Sequence, residues 1–307
     1  MKKICMLLML SISLSFSNVS LASGYTETKY PIVLVHGIFG FDDVLGIDYF
    51  YRVPYNLSRS GAEVYVAAVS AANSSELRGE QLLAEVEQIL AITGAEKVNL
   101  FGHSQGAQTA RYVASVSPEL VASVTSIGGV NWGSKVADAV RGTLPEGSLT
   151  ESALASIADG FGNIVEWFSG NSGLPQDSLA AMDVLTTAGS LAFNADYPEG
   201  IPSQYCGQGD LVAPNGVTYF SWSGGKALTN VLDVLDAPIL AVSLAFNEPS
   251  DGLVATCSSH LGYVLKDNYR MNHVDEINHT FGIHHLFETD PVTLYRQHAN
   301  RLKNMGL

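Results

Sequence analysis

The chain has 307 residues, 47% of them hydrophobic and 15% charged, with 16 Lys and Arg against 30 Asp and Glu and a formal net charge of −14. That apolar content excludes a disordered chain, and the acidic balance excludes a nucleic-acid backbone as partner. The length exceeds the usual single-domain value, yet α/β domains of this size form one unit.

The first elements belong to export. Met1-Lys2-Lys3 precedes an apolar stretch around Met6–Leu10, and Ser20-Leu21-Ala22 offers small residues for cleavage. This order predicts a signal peptide over residues 1–22 and an exported catalytic domain over residues 23–307. No later segment is long and apolar enough to span a membrane.

Residues 30–35 (YPIVLV) are continuously apolar and rich in β-branched side chains, which predicts a strand buried on both faces. His36-Gly37 ends it. A short helix is expected near residues 54–60, a strand over 63–67 and a long helix over 76–93. In that helix Leu77, Leu82, Val86, Ile89 and Leu90 form the apolar face, while Arg78, Glu80, Glu85 and Glu87 lie elsewhere. The apolar run Val98-Asn99-Leu100-Phe101 leads into Gly102-His103-Ser104-Gln105-Gly106, and a helix is expected by residues 108–112. G-x-S-x-G between a strand and a helix is a nucleophile elbow: a sharp turn lifts the serine above the sheet and leaves no room for side chains two residues away. Residues 121–127 make a further strand. Strand and helix alternating in this way predict a mostly parallel sheet with helices on both faces, in an α/β-hydrolase fold. In such folds two backbone amides stabilise the oxyanion, here those of Ile38 and Gln105.

Over residues 145–173 the pattern changes. Leu154, Ile157, Phe161, Ile164, Val165 and Phe168 recur at helical spacing, with Gly147, Gly170 and Gly173 around them. The expectation is an inserted amphipathic lid helix that covers the serine in water and opens onto a lipid surface; an ordinary packing helix would show the same period. Residues 240–246 (LAVSLAF) are expected to form a strand, followed by a loop carrying Asp251 as candidate acid. The candidate bases downstream are His260, His273, His279, His284, His285 and His298, of which His273 is narrowly favoured by its polar loop. Once Cys5 leaves with the leader, Cys206 and Cys257 suggest one disulfide, with two buried thiols as the alternative.

The mature chain closely resembles the secreted, foldase-dependent true lipases of Gram-negative bacteria. The similarity is carried by residues 29–34 (KYPIVL), 78–83 (RGEQLL), 97–100 (KVNL), 251–254 (DGLV), 257–262 (CSSHLG), 267–273 (DNYRMNH) and 295–304 (YRQHANRLKN). The resemblance implies triacylglycerol hydrolysis at an oil–water interface, with Ser104 as nucleophile, Asp251 as acid and His273 as base. It implies a Cys206–Cys257 disulfide and one structural Ca²⁺ held by Asp233, Asp275 and the backbone carbonyls of His279 and Ile283. His279 stands where relatives carry glutamine, which a carbonyl ligand tolerates. A membrane-tethered foldase chaperone and passage through the periplasm are implied too. Esterase, phospholipase or acyltransferase chemistry on the same three residues is the nearest rival, and a non-catalytic hydrolase-like binding protein the distant one.

Overall fold

The computed structural model describes residues 24–38, 40, 43–44, 47–168 and 174–307. The expected leader and the lid end at residues 169–173 therefore lie outside the described residues.

Six strands form one sheet: β1 (Ile32–Val35), β2 (Val64–Val66), β3 (Val98–His103), β4 (Val121–Ile127), β5 (Thr218–Gly224) and β6 (Tyr263–Tyr269). Their spatial order is β2-β1-β3-β4-β5-β6, and every pairing is parallel. The alternation along β1 explains why its residues are all apolar. Ile32 and Leu34 enter a core with Leu57, Phe101 and Tyr295, while Val33 and Val35 enter the opposite core with Leu82, Val86 and Val113. A strand with helices on both faces has no polar side to offer.

Helix α1 (Ser75–Thr93) starts where Ser74 accepts the Leu77 amide and ends at Gly94 with φ 70°. Helix α2 (Gln105–Val116) begins immediately after the elbow serine, three residues earlier than expected. Helix α3 (Glu151–Phe168) lies within the segment where a helix was expected, and Gly147 before it has φ 73°. Ile157 and Ile164 are buried, whereas Leu154 is 41% exposed.

Residues 240–246 are not a strand. Residues 240–245 belong to α4 (Asp236–Val242) and a 3₁₀ turn (Ser243–Ala245), and Phe246 follows in extended conformation. Ile239 and Val242, three apart, are buried, while Leu240 and Leu244 are exposed. A seven-residue apolar run suits either period, and here packing decides. Helix α4 lies against α3: a Cβ on Gly160 would come within 2.8 Å of the Pro238 carbonyl oxygen.

The chain leaves β1 for β2 on one side and passes to β3 on the other. The carboxyl ends of β1 and β3 therefore flank the point where strand order reverses, where open parallel sheets leave a crevice. Helix α5 (Pro291–Met305) covers one face of the sheet with Tyr295, Ala299 and Leu302.

Candidate active site

Ser104 caps α2 at φ 57° and ψ −124°, a conformation that side chains rarely adopt. The elbow glycines explain how the chain tolerates it. A Cβ on Gly102 would sit 2.3 Å from the Gly106 carbonyl oxygen, and one on Gly106 would sit 2.2 Å from the Val35 carbonyl oxygen. The turn is thus packed backbone to backbone at both glycines.

Asp251 and His273 come from the loops before and after β6. His273 Nδ1 donates to Asp251 Oδ2 at 2.8 Å, and the His273 amide donates to the Asp251 carbonyl at 3.0 Å. Asp251 Oδ1 accepts the amides of Leu253 and Val254 at 2.8 and 2.7 Å. A carboxylate accepts, so in this bond the hydrogen lies on Nδ1, and Nε2 is the ring nitrogen left for other partners. His273 and Ser104 line the same apolar pocket with Ile38, Met182, Leu185 and, from α3, Phe161 and Ile164.

The other histidines are engaged elsewhere. His260 pairs with Asp267 at 3.0 Å, His298 bonds Thr125 Oγ1 at 2.7 Å and His284 bonds the Gly282 carbonyl. His279 lies buried in the loop after β6, where burial lowers it to about 4. His285 stacks edge-on against exposed Phe287.

Ile38, just after β1, lines the pocket, and Gln105 follows Ser104 as the first residue of α2. Arg78 joins these two regions. It is fully buried, donates from Nη2 to the His36 and Gly37 carbonyls at 2.6 and 3.2 Å, and donates from Nη1 to Gln105 Oε1. Periodicity in α1 placed Arg78 away from the apolar face, but the structure puts it on the buried face with Leu82, Val86 and Ile89, toward the elbow, while Leu77 is exposed. Glu276 was likewise unforeseen. Its Oε1 accepts the Gly224 amide, and Oε2 lies 3.4 Å from His103 Nε2 and 4.0 Å from His273 Nδ1. Burial, then the nearby Asp251 charge, holds its carboxyl well above the usual range. Ligand atoms of His103, His273 and Glu276 lie within 4.8 Å of one another. Both rings already hydrogen-bond to protein oxygens, so a hydrogen-bonded cluster accounts for this grouping without a metal.

Asp233 and Asp275 are both buried, and Asp233 Oδ2 and Asp275 Oδ1 have no hydrogen-bond partner. Burial raises their carboxyls to about 6 and about 8. Buried carboxylate oxygens without donors suit a hard cation. The adjoining loop is unusual: Asn278, Thr280, Phe281 and Gly282 all have φ between 51° and 77°. His279 and Ile283 lie within this stretch, where such turns redirect carbonyls. Cys206 and Cys257 are joined by a disulfide with Cα atoms 4.3 Å apart.

The chain matches the pattern of the alpha/beta hydrolase fold over residues 30–246. It is 62% identical over 284 residues to a triacylglycerol lipase of Vibrio cholerae serotype O1, covering 92% of this chain and 91% of the relative. It is 43% identical over 291 residues to a triacylglycerol lipase of Pseudomonas fragi, covering 92% and 98%. Among solved structures it resembles Staphylococcus hyicus lipase with a TM-score of 0.60 at 17% identity, over 91% of this chain and 97% of that one. At that identity the structural likeness speaks for the fold alone.

Proposed function

The chain belongs to the α/β-hydrolase family and, within it, to the triacylglycerol lipases of Gram-negative bacteria, and on that footing we propose that it is a secreted lipase acting on long-chain acylglycerols through Ser104, His273 and Asp251. The observation that carries the catalytic assignment is the 2.8 Å bond from His273 Nδ1 to a buried Asp251, in a pocket shared with the strained Ser104.

In this reading Ser104 Oγ attacks the ester carbonyl while His273 Nε2 takes the hydroxyl proton. Asp251 holds the imidazole and stabilises its cation. The amides of Ile38 and Gln105 receive the oxyanion. His273 then protonates the departing glycerol oxygen, leaving an acyl group on Ser104 that water removes by the same steps. Gly37 sits so close that a Cβ there would lie 3.2 Å from Ser104 Oγ, which supports a tight oxyanion loop.

The apolar pocket supports acyl chains as substrate, and α3 is the proposed lid. Its Phe161 and Ile164 line that pocket, so moving α3 would uncover it. Asp233 and Asp275, with the carbonyls of His279 and Ile283, would hold Ca²⁺. The ion would supply positive charge to paired buried carboxylates and fix the loop after His273, without entering bond breaking. Export through the periplasm and dependence on a foldase rest on the family resemblance.

A comparison of soluble and emulsified esters tests the substrate class. Turnover of long-chain triglyceride should rise steeply once the substrate exceeds its solubility limit. Hydrolysis confined to short dissolved esters would reassign the protein as a carboxylesterase.

A further inference from the structure

Three loops converge on one imidazole that the reaction itself does not use. His103, the residue before Ser104, is 1% exposed. Its Nε2 lies 2.9 Å from the carbonyl oxygen of His273, and its Nδ1 lies 2.7 Å from the Tyr49 hydroxyl. That hydroxyl is 3.1 Å from the backbone nitrogen of Gly37, the residue before Ile38. Tyr49 is 4% exposed and His273 also 4%.

The direction of every bond follows from its ends. The His273 carbonyl can only accept, so His103 Nε2 carries a hydrogen. Burial disfavours a charged ring and lowers His103 well below its ordinary value, so Nδ1 keeps a lone pair. Tyr49 therefore donates its hydroxyl hydrogen to Nδ1. Its oxygen accepts the Gly37 N–H. The neighbouring Glu276 Oε2, 3.4 Å from Nε2, can share that hydrogen without reversing the order.

We propose that Tyr49 and His103 are positioning residues that join the oxyanion loop to the base loop through one directed chain: Gly37 N–H to Tyr49 O–H to His103, and His103 N–H to the His273 carbonyl. This rests on the assignment of Ile38 and His273 made above. The chain turns the Gly37 amide toward Tyr49, which leaves the following amide, that of Ile38, to face the substrate. It also fixes the backbone of the base at the residue where proton transfer occurs. Because Ser104 is covalently next to His103, movement of the elbow is passed to both loops. A chain of polar groups in a buried site is cooperative, so losing one member loosens the others.

The test uses a short soluble ester, so that lid opening is not limiting. Tyr49→Phe deletes only the hydroxyl and keeps the edge-on ring contact with Phe50. It should lower kcat about 10- to 100-fold, the usual cost of a group that orients a catalytic residue, with KM within about threefold. His103→Gln keeps a donor for the His273 carbonyl and should recover activity relative to His103→Leu. Tyr49→Phe combined with His103→Leu should cost no more than His103→Leu alone, because both break one chain. A kcat within twofold of wild type for Tyr49→Phe would overturn the proposal. So would strictly multiplicative losses in the double variant, or losses that track melting temperature and KM rather than kcat. Failure of the underlying assignment is separately visible, since His273→Ala would then retain turnover.

Discussion

A buried guanidinium without a carboxylate within 4 Å among the described residues is costly unless carbonyls replace its water. Arg78 meets that condition with the carbonyls of His36 and Gly37 and the side chain of Gln105, and burial lowers it to about 9. The three partners flank both proposed oxyanion donors, Ile38 and Gln105. Arg78→Met should therefore slow hydrolysis of a soluble ester roughly 10- to 100-fold through kcat. Arg78→Lys should restore little, because one ammonium cannot match a fork spanning two carbonyls and an amide. Steady-state kinetics beside a thermal melt checks this, and a Lys variant with full activity would show that charge alone matters. Ser104 and its glycines were legible in sequence because a close backbone turn admits so few residue types. Arg78, His103 and Glu276 were not, since each acts mainly through partners 27 to 173 positions away, and a charged side chain on a helix ordinarily means solvent.

At the scale of elements, α3 lies over the pocket with Phe161 and Ile164 and packs against α4. The helical period of α3 was readable, and so was the identity of its apolar residues. Its partner was misread, because LAVSLAF carries no periodic signal until a neighbour buries one side of it. Ile164 is 5% exposed in the docked helix and lines the pocket. Ile164→Asp would place a charge there, so the docked state should lose stability while the helix survives. Activity on short dissolved esters should hold or rise, and the extra activity gained on emulsified triglyceride should shrink. The open state then needs less help from an interface, and the acidic face binds oil less well. Equal losses on both substrates would instead make α3 a fixed part of the core.

For the whole molecule, the loops bearing Asp251 and His273 are tied at several points outside the sheet. The disulfide joins Cys206 to Cys257, six residues past Asp251, and Asp275 lies two residues past His273. The parallel sheet was foreseeable from alternating elements, whereas the order of its strands was not. The convergence of Asp233 with Asp275 was not readable from the residues, as surface acids are common and only burial distinguishes these two. A bound ion joining them should stabilise the fold by RT ln(1 + [Ca²⁺]/Kd), about 2.7 kcal/mol at a hundredfold excess over Kd. Chelation should thus lower the melting temperature and the activity together, and added Ca²⁺ should restore both. No change in either would remove the ion from the account.

The central claim is that Ser104 attacks the ester with His273 as its base. A long-chain alkylphosphonate ester, which traps the attacking atom as a stable adduct, tests this directly with peptide mass spectrometry. The account predicts one adduct per chain, on Ser104, with labelling slowed in His273→Ala and Ser104→Ala keeping less than about a thousandth of wild-type turnover. An adduct on another residue, or a Ser104→Ala protein that still hydrolyses ester, would contradict it.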